Sequence, residues 1–310
     1  MQSDFDKRLN EILEDNIHGS RIITSRASSL FRRLIADEDV SRSEIINRLR
    51  IASRKLEKKH SNLSAVRKFC DAIITVLDAA PPRKRLTTWL NKLLDQWNDL
   101  YVHQITLAIA SHMFPVISQA KTLISHSYSS TVCKVLTHIA RKYTGAKIIQ
   151  SVSFPMKEGV AMAGMLAEQK YKIELINDAG IPAEVESCDV ILIGADSVSE
   201  KEVINKQGTL SIALAASHFD KPIYVLADSS KLIRTEKVPE IALQNPSELV
   251  SIDNKNITVT NKYFDATPLD LFTAIVTEQA AYSPRGMKEL LESGTVEKIE
   301  DTGFDQEVPE

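Results

Sequence analysis

The chain has 310 residues, a net charge of −3, and 43% apolar against 25% charged residues. That length supports one large or two medium domains with a full core, and the near-neutral charge gives no basic field for nucleic acid or anionic lipid. No run of about 18 apolar residues suggests a membrane helix, the polar stretch Met1–Asn10 argues against a secretory leader, and the scattered Cys70, Cys133 and Cys188 suit a reducing cytoplasm rather than a disulfide framework or zinc site.

Residues 1–118 read as a helical domain. Gly19 alone among ten glycines precedes Gly145, and the prolines of the first 120 residues are Pro81, Pro82 and Pro115. Glycine and proline cost most inside helices, so their scarcity favours helix. In Leu63–Leu77, the side chains of Val66, Phe69, Cys70, Ile73, Ile74 and Leu77 share one helical face, with Ser64 as the predicted N-cap. Leu86–Leu100 repeats the spacing with Leu86, Trp89, Leu90, Leu93, Leu94 and Trp97, after a Pro81-Pro82 turn signal. The basic clusters Arg54–Lys59 and Arg83-Lys84-Arg85 are short and read as solvated helix ends, not as a nucleic-acid surface.

From residue 119 onward, short apolar runs alternate with segments long enough for crossover helices. The runs are Thr122–Ser125, Lys147–Val152, Tyr171–Ile176, Val190–Gly194 and Pro222–Ala227. This alternation predicts a parallel sheet covered by helices on both faces. The acidic tail Glu297–Glu310 is expected to fray. Ligands of such sheets bind outside the carboxyl ends of the strands, so the residues after each run are the site candidates.

Ser125-His126-Ser127-Tyr128-Ser129-Ser130 follows the first run. Hydroxyls at a helix start cap it or, with the exposed N–H groups, hold an anion; capping needs only one of them. Asp178 follows the third run and reads as a cap or a cleft residue. The fourth run ends in Gly194-Ala195-Asp196, which places a carboxylate for base chemistry or for a sugar hydroxyl. Asn205-Lys206-Gln207-Gly208-Thr209 then reads as a helix start, with Lys206 a point charge for phosphate and Asn205 an amide beside it. Asp228-Ser229-Ser230-Lys231 ends the fifth run. Asp265 and Thr267 read as caps, Tyr263 and Phe264 as core, ahead of an amphipathic stretch to Glu278.

Taken in order, Gly194-Ala195-Asp196-Ser197, Val203–Thr209, Pro222–Ala227, Phe264–Pro268 and Thr273–Glu278 resemble one family. It unites the regulatory alpha, beta and delta subunits of eukaryotic initiation factor 2B with methylthioribose-1-phosphate isomerase and archaeal ribose-1,5-bisphosphate isomerase. The resemblance is dense from Thr122 to about Glu278 and looser over the helical region. It implies an α/β protein: an all-helical N-terminal domain, 1–118, followed by a Rossmann-like parallel-sheet domain, 119–310, that binds ligand and oligomerises as dimers or assemblies of dimers, with itself or with related subunits. The family's isomerases use an Asp and a Cys. The Asp corresponds to Asp196; at the Cys position this chain has Ser127. A thiol, with a pKa near 8.5, exchanges protons near neutrality, whereas a serine hydroxyl needs a base. The isomerases also carry an Arg where Phe154 precedes Pro155, so a guanidinium clamp is missing, with Lys157 or Arg21 as candidate substitutes.

These departures favour a non-catalytic, regulatory relative that binds a phosphorylated sugar or nucleotide through Asn205, Lys206, Ser129, Ser130 and Arg21, with translation initiation factors among its candidate partners. The alternative is an aldose–ketose isomerase acting through Asp196 and Ser127. Neither reading needs a metal or a cofactor.

Overall fold

A computed structural model describes residues 4–15, 19–79, 82–99, 104–235, 238 and 240–293. Pro81 and the acidic tail lie outside the described residues. The chain divides into two compact units, the first running to Gln104 and the second opening at Ile105.

The first unit is helical: α1 (Asp4–Leu13), α2 (Ser20–Ala36), α3 (Arg42–Lys59), α4 (Ser64–Asp78) and α5 (Arg83–Asp99). The apolar faces read from spacing are the buried ones, with Val66, Phe69, Cys70, Ile73 and Leu77 on α4 and Leu86, Leu90, Leu93, Leu94 and Trp97 on α5. Phe69 is the hub, its ring 5.9 Å from that of Phe31 and 5.2 Å from that of Trp97. Ser64 is not the cap of α4; Leu63 holds that position, and Ser64 is the first, buried helical residue. Arg83 folds back to donate to the backbone oxygens of Asp37 and Val40, so one member of its basic cluster is spent on a turn.

The second unit opens with α6 (Ile105–Ile117), which packs on α7 (Ser130–Ala140). The compact units therefore part at Gln104, ahead of residue 118, because α6, which closes the stretch read as helical, buries its face within the sheet unit. Next come β1 (Thr122–Ser125), β2 (Lys147–Ser151), α8 (Glu158–Glu168), β3 (Lys172–Ile176), a one-turn α9 (Ile181–Glu184) and β4 (Val190–Ile193). After these run β5 (Ser197–Val198), β6 (Glu202–Lys206), α10 (Thr209–His218), β7 (Ile223–Leu226), β8 (Phe264–Pro268), β9 (Ala274–Val276), β10 (Ala281–Tyr282) and α11 (Pro284–Glu292).

Seven strands form one sheet in the order β10-β9-β7-β4-β1-β2-β3, parallel except for β10. The order runs outward in one direction from β1 and in the other from β4, so the topological switch point lies between these two neighbours. This is the Rossmann-like arrangement, and all five apolar runs are its strands. At the β3 edge, Lys172, Glu174 and Leu175 are exposed, and Glu174 forms an ion pair with Lys147 of β2.

A second sheet, β5-β6-β8, is antiparallel. It corrects two sequence expectations. Asn205 and Lys206 end a strand rather than start a helix, and α10 begins at Thr209. Asp265 and Thr267 lie on β8, and the stretch to Glu278 continues as β9 instead of a helix. In both places strand pairing across the molecule overrides local pattern.

Candidate functional site

The site candidates gather where β1 and β4 end. Ser127 follows β1 with φ 63°, a left-handed turn. Its N–H donates to Ser151 Oγ at 3.0 Å, and its Oγ donates to Glu158 Oε1 at 3.3 Å. Lys206 Nζ meets the same Glu158 Oε1 at 2.5 Å, with both side chains more than nine-tenths buried. Glu158 Oε2 is buried and has no hydrogen-bond partner among the described residues. Lys206 also sits over the Tyr263 ring, 4.9 Å from its centroid.

Asp196 follows β4, half-buried, and its N–H donates to Ile204 O at 2.8 Å, tying the end of the large sheet to β6. Burial pushes its carboxyl up to about 6; Lys231 and Lys206 pull it down, and Glu158 pushes it up. Lys231 is itself buried and donates to the backbone oxygen of Ala195. At pH 7 Asp196 is mostly ionised, with a proton within easy reach, as suits a group that takes and returns one.

A buried relay stiffens this corner. His126 Nε2 lies 3.0 Å from the Gln207 carbonyl and so donates to it, which leaves Nδ1 to accept from Ser151 Oγ at 2.8 Å. Ser151 Oγ in turn accepts from Ser153 Oγ at 2.7 Å. Burial holds the imidazole pKa below its usual range, so the ring is a neutral strut between β1 and the turn after β6. Gly208 in that turn has φ +109°, and a Cβ there would lie 3.2 Å from the His126 ring. Asp265 caps α10 from β8, accepting from Gly208 N at 2.7 Å and Leu210 N at 3.2 Å. It is a cap, though of a different helix from the one its sequence position suggests.

The other predicted residues sort as follows. Ser129 is the N-cap of α7, accepting from Val132 N at 3.3 Å, and Ser130 is the first helical residue. Asn205 is buried on β6, its amide donating to Thr209 Oγ1 at 3.0 Å. Arg21 lies in the first turn of α2, in the other compact unit. Asp178 does not cap its own helix but ties down the loop after β2. It accepts from Ser153 N and Phe154 N, both at 2.9 Å, and Asn177 does the capping. Lys157 packs over the exposed Phe154 ring at 5.5 Å. Cys133 is buried on α7, and burial pushes its thiol up.

The sequence does not single out Glu158, and it offers Lys231 only as part of the polar segment that ends the fifth run. Glu158 carried a signal: it is the acidic residue that opens an otherwise small and apolar helix, Gly159–Ala167. The start of α8 is pressed onto the end of β2, where a Cβ on Gly159 would lie 1.8 Å from Ser151 O. That close approach carries Glu158 inward. Among the described residues, no cluster of His, Cys, Asp or Glu is arranged to hold a metal ion, and no helix is long and apolar enough to cross a membrane.

Comparison with known proteins agrees with the fold and the order of motifs. A "Putative translation initiation factor eIF-2B subunit 2-like" of Pyrococcus furiosus is 30% identical over 178 residues, covering 57% of this chain and 63% of the relative. The ribose 1,5-bisphosphate isomerase of Haloferax volcanii is 30% identical over 188 residues, covering 57% of this chain and 58% of the relative. Each match thus spans under two-thirds of the relative's length. The crystal structure of a Pyrococcus horikoshii OT3 translation initiation factor eIF-2B superposes with a TM-score of 0.75 at 22% identity, covering 92% of this chain and 98% of the other. The 5-methylthioribose 1-phosphate isomerase of the same organism gives 0.76 at 18% identity, covering 93% and 88%. These two likenesses show a shared fold. The model of the Initiation factor 2 subunit family, IF-2B, matches residues 16–284, most of the chain, and the chain belongs to that family.

Proposed function

We propose that this chain is a binding subunit that holds a phosphorylated sugar or nucleotide at the switch point and does not turn it over. The observation that carries the reading is the make-up of the cleft. A poised carboxylate, Asp196, stands beside the buried Lys206–Glu158 pair, while the position after β1 offers the Ser127 hydroxyl and the Cys133 thiol is buried on α7. The cleft therefore has a polar wall that reads hydroxyls, with no thiol to exchange a proton. The start of α7 at Ser129 and Ser130 is the place for phosphate, where backbone N–H groups and the helix dipole favour an anion. The proposed setting is cytoplasmic, in assemblies with its own copies or with related subunits, and translation initiation factors are candidate partners.

The second reading, an aldose–ketose isomerase, is favoured by one observation: the Asp196 pKa of about 6 suits proton transfer at neutral pH. Phosphorus and proton NMR of the protein with ribose 1,5-bisphosphate, and then with methylthioribose 1-phosphate, separates the two. Line broadening without new sugar signals is the expected result. Formation of a ketose would overturn the non-catalytic reading in favour of the second. Sharp, unshifted ligand lines with both compounds would sink the ligand reading altogether.

A further inference from the structure

Lys206 is the obvious phosphate ligand by sequence, yet its ammonium is already taken. Glu158 Oε1 holds it at 2.5 Å and also accepts from Ser127 Oγ at 3.3 Å. The pair lies out of water, with side chains 5% and 8% exposed. The charged groups that act on the neighbouring Asp196 are Lys231, Lys206 and Glu158. Two ammoniums and two carboxylates thus balance within one corner, in which Glu158, Lys206 and Lys231 are buried and Asp196 half-buried. A phosphate dianion on Lys206 would displace Glu158 or leave the corner doubly negative, and uncompensated buried charge is strongly disfavoured. A neutral hydroxyl leaves the balance untouched. It also finds an acceptor, because Glu158 Oε2 is buried without a hydrogen-bond partner among the described residues, a state that costs free energy until a donor arrives.

We propose that Glu158 is a resident counter-anion that reserves Lys206 against phosphate, so that the ligand presents hydroxyl-bearing carbon, not phosphate, to this end of the cleft. Glu158 is then a specificity residue: it fixes which end of a phosphorylated sugar enters. The orientation rests on the cleft being the ligand site, whereas the exclusion of phosphate from Lys206 does not.

Calorimetric titration with inorganic phosphate tests that exclusion. Glu158→Gln keeps the shape, removes the charge and releases Lys206, so phosphate should bind roughly tenfold more tightly than to the unaltered protein, the scale of one added charge-assisted hydrogen bond. Glu158→Asp keeps the charge and should bind phosphate like the parent. Adding Lys206→Met to Glu158→Gln should abolish the gain. No gain with Glu158→Gln, an equal gain with Glu158→Asp, or a gain that survives Lys206→Met would each overturn the proposal. Should Glu158→Gln fail to fold, crystals of the unaltered protein soaked in selenate decide by selenium anomalous scattering. Lys206 still on Glu158 with no selenate beside it supports the proposal, and selenate within about 4 Å of Lys206 Nζ, ion-pair contact, overturns it. Ribose 5-phosphate titrated into the unaltered protein separates the two readings: no binding there, with the phosphate gain intact in Glu158→Gln, would sink the ligand assignment and leave the role of Glu158 standing.

Discussion

In the seven-stranded sheet, β4 buries Val190, Ile191, Leu192 and Ile193, and apolar contact on both faces holds it. In the three-stranded sheet, β6 buries Val203, Ile204, Asn205 and Lys206 to a similar degree, and two of those four are polar. The first strand is secured by area removed from water. The second is secured by partners: Thr209 for Asn205, and Glu158 and the Tyr263 ring for Lys206. A strand of the first kind tolerates a lost methyl group in proportion to its volume, whereas a strand of the second kind fails when one partner is taken away.

The sharpest test of that difference is Lys206→Met. It strands Glu158 in a buried site and should destabilise the fold by about 4 kcal/mol, measured by urea unfolding. The double replacement with Glu158→Gln should recover most of this, because no buried charge is then left alone; failure to recover would mean that Lys206 acts through packing instead. Leu192→Ala in the middle of β4 should cost about 3 kcal/mol by the same measurement while leaving ligand affinity unchanged. A loss of affinity equal to that of a cleft variant would break the distinction between the two sheets. Asp265→Ala removes the cap that β8 provides to α10 and should cost about 1.5 kcal/mol.

The last effect is a slope with pH rather than a single loss. Burial raises the Asp196 carboxyl to about 6, so the folded protein holds this proton more tightly than the unfolded chain does. Its contribution to stability is full below the unfolded value, near 3.9, and is lost as pH rises through about 6. Asp196→Asn should flatten the stability curve between those limits, and an unchanged curve would show that the carboxyl is not held up.

The contrast between the sheets also explains what could be read in advance. Apolar runs announced every strand on the β7-β4-β1-β2-β3 side: the inner four because a strand buried on both faces leaves little other pattern, and the exposed edge strand β3 through its branched Ile173 and Ile176. β6 and β8 did not announce themselves. Asn205-Lys206 before Gly208 and Thr209 looks like a helix start, and Asp265 with Thr267 looks like a capping pair, since the same residue types serve both uses. Asp196 could be singled out as a candidate because it follows an apolar run and the Gly194-Ala195 pair. Glu158 could not, because its partners Ser127 and Lys206 lie far away in sequence and only the close seating of Gly159 on β2 brings them together. His126 shows the same limit: its neighbours in the chain are serines, and its job is to reach the Gln207 carbonyl.

The edge strand β3 has a consequence for the fate of the chain in a crowded solution. Along β3 the backbone pairs with β2 on one side only among the described residues, and its outward groups are a template for another chain. Lys172 and Glu174 place charge on that edge beside the exposed Leu175. Neither residue touches the cleft or the interior; they deter edge-to-edge joining. Replacing both with β-branched apolar residues would leave monomer fold and ligand binding as they are and turn the edge into a seed for aggregation.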